Sequence, residues 1–158
     1  MVVFLFLVMP VGAQEATMVG PSRGSLVIMG GGGKEMPGIF GKFVELAGGK
    51  VARIVVVTTA ISSDPKHNYD RSWAAKLARE QFKVAEITVL HTHDRGIADS
   101  EGFVEPITRA TGVWFGGGRQ WRLTRAYGGT RSEREFHKVL ERGGAIGGSS
   151  AGATIQGS

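Results

Sequence analysis

Short apolar runs alternate with amphipathic stretches along most of the chain. Apolar residues at helical spacing predict helices over 39–48, 69–82 and 132–143, the first ended by Gly48 and Gly49. Strands that are apolar on both faces and separated by helices are typical of a parallel sheet covered on both sides. The sequence therefore predicts an α/β protein with a doubly wound open sheet, whose ligands bind at the carboxyl ends of the strands. The predicted strands are 25–30, 52–59, 85–90, 111–118 and 144–148.

The amino-terminal residues contain an apolar run from Val2 to Val11, which is too short to span a bilayer. Val11, Gly12 and Ala13 then fit a small-residue cleavage site. Residues 1–13 are therefore predicted to be a signal peptide, although no Lys or Arg precedes the run, and the protein is expected to be secreted or periplasmic. If the run is instead an ordinary buried strand, a cytoplasmic protein is expected. Residues 14–158 are predicted to form a single domain.

Composition narrows the possible functions. The chain has 158 residues, of which 42% are apolar and 21% charged, as in a globular domain. Its formal net charge is +5, but the basic residues are scattered and are not interleaved with aromatic residues, which argues against a nucleic-acid partner. The chain has no cysteine, so covalent catalysis would need an oxygen nucleophile.

The segment from Gly148 to Gly152 reads Gly-Ser-Ser-Ala-Gly, which matches the G-x-S-x-G pattern. It lies between a predicted strand and an apparent helix, the context that a nucleophile elbow requires, because only small neighbours let the central serine project from so tight a turn. Ser150 is the predicted nucleophile. The N–H group of Ala151, at the start of the helix, is a candidate donor to the oxyanion that forms after attack. The alternative is a Gly/Ser-rich turn without catalytic function.

A second glycine-rich segment, Gly116-Gly117-Gly118-Arg119-Gln120, follows the strand "VWF". Three glycines at a strand end let the backbone approach a ligand and direct N–H groups toward it. This segment could supply a second oxyanion donor, or it could be a plain connection between a strand and a helix.

Two other segments carry chemically interesting residues. His91-Thr92-His93-Asp94 follows a predicted strand, but no further ligand cluster completes a metal site, so no metal is expected. The run Gly30 to Gly33 lacks both the G-x-G-x-x-G spacing and the Lys-Ser/Thr ending of nucleotide loops. No cofactor is therefore expected.

The segments "GGGGK", "KFVELAGGKVARIVVVTTA", "ATGVWFGGGRQWRL" and "GGAIGGSSAGA" together resemble the cyanophycinase and peptidase E (α-aspartyl dipeptidase) family of serine peptidases. The resemblance runs from about Ser25 to the end, in the same order and spacing. It implies a flavodoxin-like sheet related to class I glutamine amidotransferases and a peptide or aspartyl-peptide substrate, and it is compatible with a homodimer. It also implies Ser150 as nucleophile, Ala151 and either Gly117 or Gly118 as oxyanion donors, and Gln120 as a substrate-binding residue.

The chain departs from this resemblance at Arg119. Cyanophycinases tend to have an acidic residue between the glycines and the glutamine. A cation at that position reverses the local field and should favour a substrate carboxylate over an arginyl group. The sequence therefore predicts Arg119 as a substrate-binding residue and leaves the bond next to aspartate as the expected site of cleavage.

In the resembled family the histidine base and its acidic partner follow the serine, whereas the eight residues after Ser150 contain neither. We therefore expect the chain to be an incomplete copy of a longer enzyme, inactive as a fragment, with the carboxyl-terminal part of the sheet missing. Two other classes fit the motifs. An α/β-hydrolase esterase shares G-x-S-x-G and a glycine-rich oxyanion loop, and a non-catalytic domain could keep the anion-binding loops without a base.

Overall fold

The computed structural model describes residues 20–31, 37–64, 69, 72–84 and 86–157. The predicted signal peptide, Gly32 and Gly33 lie outside these residues. The described chain alternates strands and helices, in the order β1 (Ser25–Met29), α1 (Pro37–Leu46), β2 (Arg53–Val57), α2 (Trp73–Phe82), β3 (Glu86–Leu90), α3 (Arg95–Ala98), α4 (Glu101–Arg109), β4 (Gly112–Phe115), α5 (Gln120–Tyr127), α6 (Arg131–Glu141), β5 (Ala145–Ser149) and α7 (Ala151–Thr154). Single turns of 3-10 helix cover Gly49–Val51 and Ile155–Gly157.

All five strands are parallel and form one sheet in the order β1-β5-β4-β2-β3. Their carboxyl ends therefore lie at the same edge of the sheet. Strands β4 and β5 are direct neighbours, with Phe115 opposite Gly148. This pairing brings the two glycine-rich segments that follow them side by side, although 30 residues separate Gly118 from Gly148 in the sequence.

The side chains of the sheet alternate between two apolar layers, as the period of a strand requires. In β2, Ile54 and Val56 pack in one layer, which contains the buried aromatic side chains Phe40, Phe43, Phe82 and Trp114. Val55 and Val57 pack in the other layer with residues of α4, α5 and α6, among them Ile107, Leu123 and Phe136. The predicted α/β class, with a flavodoxin-like, doubly wound parallel sheet, is confirmed.

The structure also corrects parts of the sequence analysis. The second helix begins at Trp73, four residues later than predicted, because the side chain of Ser72 caps it by accepting from the N–H of Ala75. The strand predicted over 111–118 ends at Phe115, where the glycines leave the sheet. The sequence patterns gave no bounds for helices α3, α4 and α5. Two of them are short, and α4 contains Pro106, which weakens the helical pattern.

Within the ranges given above, no helix is both long enough and apolar enough to cross a membrane.

Candidate active site

The backbone of Ser150 has a conformation that is rare for a residue other than glycine. Its φ is 52° and its ψ is −112°, a combination that non-glycine residues rarely adopt. Such strain costs about 1–3 kcal/mol and persists only where the surrounding structure imposes it. Here the N–H of Ser150 donates to the carbonyl of Met29 at 3.1 Å, which ties the turn to the end of β1. The side chain of Ser150 is exposed at the carboxyl edge of the sheet.

The glycines on either side of Ser150 are required by close backbone packing. A Cβ atom on Gly148 would overlap with the backbone of Gly152, and a Cβ on Gly152 would overlap with the carbonyl of Phe115 in β4. The G-x-S-x-G pattern therefore has a steric origin in this fold: the first glycine lets α7 begin directly above β5, and the second lets it contact the neighbouring strand.

Helix α7 begins immediately after Ser150. The N–H groups of Ala153 and Thr154 donate to the carbonyl of Ser150 at 2.9 Å and 3.0 Å. The N–H of Ala151 has no acceptor among the described residues, as is usual for the first N–H groups of a helix. It is available as a donor beside the Ser150 hydroxyl.

The glycine-rich segment after β4 lies against Ser150. A Cβ atom on Gly117 would stand 3.4 Å from the Cβ of Ser150 and 3.7 Å from the Oγ of Ser149. The N–H of Gly116 continues the sheet by donating to the carbonyl of Val57 at 2.9 Å, so this first glycine is not an available donor. In the described structure the N–H groups of Gly117 and Gly118 have no acceptor.

Gly118 has a φ of 137°, and a Cβ atom there would overlap with the carbonyl of Ala60. Ala60 belongs to a turn in which the N–H of Ile61 donates to the carbonyl of Thr58 at 3.0 Å. We call residues Thr58–Ile61 the β2 turn. The role of the β2 turn in the site is not evident from the sequence, because Thr-Thr-Ala after an apolar run resembles an ordinary strand end.

Arg119 and Gln120 continue directly from the glycines into α5. Arg119 is the residue that precedes the helix and Gln120 is its first residue, and both side chains are exposed. Neither side chain makes a hydrogen bond or an ion pair with the rest of the described chain. The backbone of Arg119 is fixed instead: its N–H donates to the carbonyl of Ala60 at 2.9 Å, and its carbonyl accepts from the N–H of Arg122 at 3.1 Å.

The segment His91–Asp94 lies at the same edge of the sheet, beyond β2. His91 Nδ1 lies 3.2 Å from Thr58 Oγ1, and His93 Nε2 lies 2.6 Å from the carbonyl oxygen of Ser62. Asp94 caps α3 by accepting from two N–H groups. Strands β4 and β2 separate β3 from β5, so roughly 14 Å lie between the ends of β3 and β5 at the usual strand spacing. These histidines therefore do not reach Ser150.

The buried hydroxyl of Thr59 links the β2 turn to α5 and to the segment that follows β3. Thr59 Oγ1 lies 2.5 Å from Tyr127 Oη and accepts from the N–H of Thr92 at 3.3 Å. Burial raises the pKa of Tyr127 well above its ordinary value, and the hydrogen bond with Thr59 offsets only part of this effect. The phenol therefore stays protonated, and it connects α5 to the β2 turn.

The described ranges contain no group of three or more His, Asp or Glu side chains that could hold a metal ion. An apolar cavity of about 430 Å³ lies elsewhere, beneath α5 and α6, and its lining includes neither Ser150 nor the glycine segment. It is lined in part by Leu26, Phe115, Leu123, Phe136, Ile146 and Ile155.

Comparison with known proteins identifies relatives of this chain. The model of peptidase family S51 matches residues 26–158. Cyanophycinases from Synechococcus elongatus and from Thermosynechococcus vestitus are each 30% identical over 141 residues, which cover 85% of this chain and 42% of the relative.

Two solved structures share the fold. A peptidase from an acI-B1 actinobacterium matches with a TM-score of 0.70 and 24% identity, over 84% of this chain and 56% of the other. A putative peptidase E protein from Listeria monocytogenes matches with a TM-score of 0.53 and 15% identity, over 84% of this chain and 61% of the other.

The chain belongs to peptidase family S51, as the predicted resemblance implied. It spans less than half the length of the curated relatives that it matches. Family membership also replaces the α/β-hydrolase interpretation, because the S51 model matches residues 26–158, which include both the G-x-S-x-G motif and the glycine segment.

Proposed function

We propose that this site belongs to a serine peptidase that cleaves a peptide or isopeptide bond next to aspartate through an acyl-enzyme on Ser150. The observation that carries the proposal is the exposed Ser150, held in a strained conformation beside Gly117. The N–H groups of Gly117, Gly118 and Ala151, which have no acceptor in the described part of the chain, accompany it. Strained residues and unused donors that converge on one point are typical of catalytic sites.

The chemistry follows from these groups. The Oγ of Ser150 would attack the carbonyl carbon of the scissile bond, its proton passing to a base, and the carbonyl oxygen would become an oxyanion. Donation from the N–H of Ala151 and from Gly117 or Gly118 would stabilise that charge. Collapse of the intermediate would release the amine, which takes up a proton, and leave an ester on Ser150. Water would then hydrolyse the ester and regenerate the hydroxyl.

Arg119 and Gln120 are the proposed substrate-binding residues. Both are exposed and directly follow the proposed oxyanion donors. Helix α5 carries no acidic residue that would oppose the positive charge of Arg119. A guanidinium can hold a carboxylate in a bidentate pair. An aspartyl substrate with an additional acidic group is therefore the class that the charges favour.

A non-catalytic, anion-binding domain is the second candidate. One observation favours it: no described side chain forms a hydrogen bond with the Ser150 hydroxyl. A serine hydroxyl without a base in reach is a poor nucleophile at neutral pH. In that case the same N–H groups and Arg119 would bind a carboxylate without turnover.

A fluorophosphonate probe separates the two candidates. The purified chain and its Ser150→Ala and Ser149→Ala variants would be incubated with the probe, and the modified residue would be located by peptide mass spectrometry. We expect labelling of Ser150 in the wild type and in Ser149→Ala, and none in Ser150→Ala. Ser149 is the matched control because it is adjacent and also carries a hydroxyl.

Hydrolysis of aspartyl dipeptides would be measured in parallel, with binding of the same peptides by calorimetry. Binding without labelling or hydrolysis would contradict the peptidase proposal and support the anion-binding domain. Labelling at Ser149 would show that the wrong serine has been assigned.

A further inference from the structure

Two side chains of α5 reach the β2 turn from beneath the glycine segment. Tyr127 contacts Thr59 through its hydroxyl, as described above. Arg122 donates from one nitrogen, Nη1, to the carbonyl of Ala60 and to that of Ile61, both at 2.9 Å. The turn, whose Ala60 is fully buried, is thereby fixed to the helix that follows the proposed oxyanion donors.

The carbonyl of Ala60 is the contact point between the turn and the glycine segment. It accepts from the N–H of Arg119 and from Arg122 Nη1, each at 2.9 Å, so both of its lone pairs are used. The same carbonyl lies so close to Gly118 that no Cβ atom fits there. The orientation of the peptide groups at Gly117 and Gly118 therefore depends on where this carbonyl is held.

Arg122 is not part of a surface ion pair in the described chain, unlike Arg109 and Arg134. Its Nε is buried and has no hydrogen-bond partner among the described residues. The acceptors of its guanidinium there are the two carbonyls of the turn. Hydrogen bonds from charged donors are stronger than those from neutral donors. The guanidinium of Arg122 therefore fixes the positions of the two carbonyls of the turn.

We infer that Arg122 is a positioning residue that holds the carbonyls of Ala60 and Ile61, and through them sets the direction of the Gly117 and Gly118 N–H groups. The inference rests on the proposed function, because it assigns a purpose to those N–H groups. It predicts that loss of the Arg122 guanidinium lowers kcat and leaves KM nearly unchanged, since the guanidinium is engaged with the carbonyls of the β2 turn.

The test compares Arg122→Met with Arg125→Met. Both changes remove one positive charge from the same helix, and both arginines pack on Trp121, at 5.4 Å and 5.6 Å from the ring centroid. No hydrogen bond from the Arg125 side chain to the turn is present in the described structure. Arg122→Lys is the conservative variant, because it restores a charged donor that can reach one carbonyl or both.

The first measurement does not depend on catalysis. In Arg122→Met we expect the N–H of Arg119 to exchange with solvent at least about tenfold faster, measured by NMR, with shifted amide resonances of Gly117 and Gly118. Exchange at core residues such as Val56 and Val113 should stay unchanged, which excludes general unfolding. Arg125→Met should behave as the wild type, and Arg122→Lys should recover part of the protection.

The second measurement is turnover of an aspartyl dipeptide, in an enzyme in which a base completes the site. We expect kcat of Arg122→Met to fall about tenfold or more with KM within about twofold, and kcat of Arg125→Met to stay within about twofold. Unchanged exchange in Arg122→Met, or faster exchange with unchanged kcat, would overturn the inference. If the wild type shows no turnover, the proposed function fails, while the exchange experiment still decides whether Arg122 holds the segment.

Discussion

Two regions at the same edge of the sheet carry residues with catalytic chemistry, and they differ in how those residues are used. Beyond β2, His93 is paired with a backbone carbonyl, and Asp94 is engaged as a helix cap. Beside β4 and β5, the hydroxyl of Ser150 is exposed, and nearby N–H groups lack acceptors among the described residues. The histidine side has the more reactive side chains, but the serine side has the unused hydrogen-bonding capacity and the backbone strain.

This difference shows what distinguishes a candidate site from a cluster of polar residues. A buried or half-buried polar group normally finds a partner within the fold, and once paired it contributes to stability. A group that the fold holds in a strained or unpaired state is instead a candidate for binding or catalysis, or belongs with a partner elsewhere. The difference therefore supports the proposal that the serine segment carries the chemistry and that the histidine segment has a structural role.

The largest effect is expected on turnover. In an enzyme in which a base completes this site, Ser150→Ala should lower kcat/KM by at least about a thousandfold, because it removes the proposed nucleophile. His93→Gln, on the histidine side, should stay within about threefold of the wild type. Steady-state hydrolysis of an aspartyl dipeptide by both variants tests this, and a large loss in His93→Gln would break the comparison.

The second-largest expected difference between the two regions is in the stability cost of a glycine substitution. Gly152→Ala forces a methyl group onto the backbone carbonyl of Phe115, where neither side can yield easily, and should cost about 3 kcal/mol or more of unfolding free energy. In Gly96→Ala the new Cβ would meet only the flexible Asp94 carboxylate, at 3.1 Å. We expect a change of no more than about 1 kcal/mol there. Urea unfolding of both variants measures the difference, and equal stabilities would contradict the steric account of the motif.

A smaller effect is expected on the preference between acidic and basic substrates. Arg119→Asp should shift the ratio of kcat/KM for acidic over basic aspartyl dipeptides by about tenfold, at the lower end of charge-assisted contacts because the side chain is exposed. Arg125→Asp, in the same helix and also exposed, is the control for net charge. If both variants shift the ratio equally, the effect comes from the general field and not from a contact with Arg119.

The smallest effect concerns Tyr127, which links the two regions through Thr59. Because burial raises its pKa in the folded state, the unfolded chain loses this proton first as the pH rises. The stability contribution is complete below pH 10, the ordinary tyrosine value, and is lost above it by up to about 1.4 kcal/mol per pH unit. Tyr127→Phe should therefore lose stability less steeply than the wild type between pH 9.5 and 11. Parallel pH profiles of unfolding would contradict this.

Much of the architecture follows from local patterns. Residues 54–57 of β2 and residues 145–148 of β5 carry no polar side chain and are buried, and burial on both faces of a sheet is the simplest way to satisfy such runs. Helices α3 and α5 were missed because their patterns are short, and such helices depend on tertiary packing more than on propensity.

The sequence by itself determined the fold class, the family resemblance, Ser150 as the central residue of its motif, and the neighbouring glycine segment, because each rests on residues close together in the chain. Only the tertiary structure decided that the N–H of Gly116 pairs within the sheet, that Gly118 packs against the carbonyl of Ala60, and that Arg122 donates to the β2 turn. These contacts join residues about 60 positions apart. A local pattern cannot encode such contacts, because the order of the strands in the sheet sets which loops become neighbours.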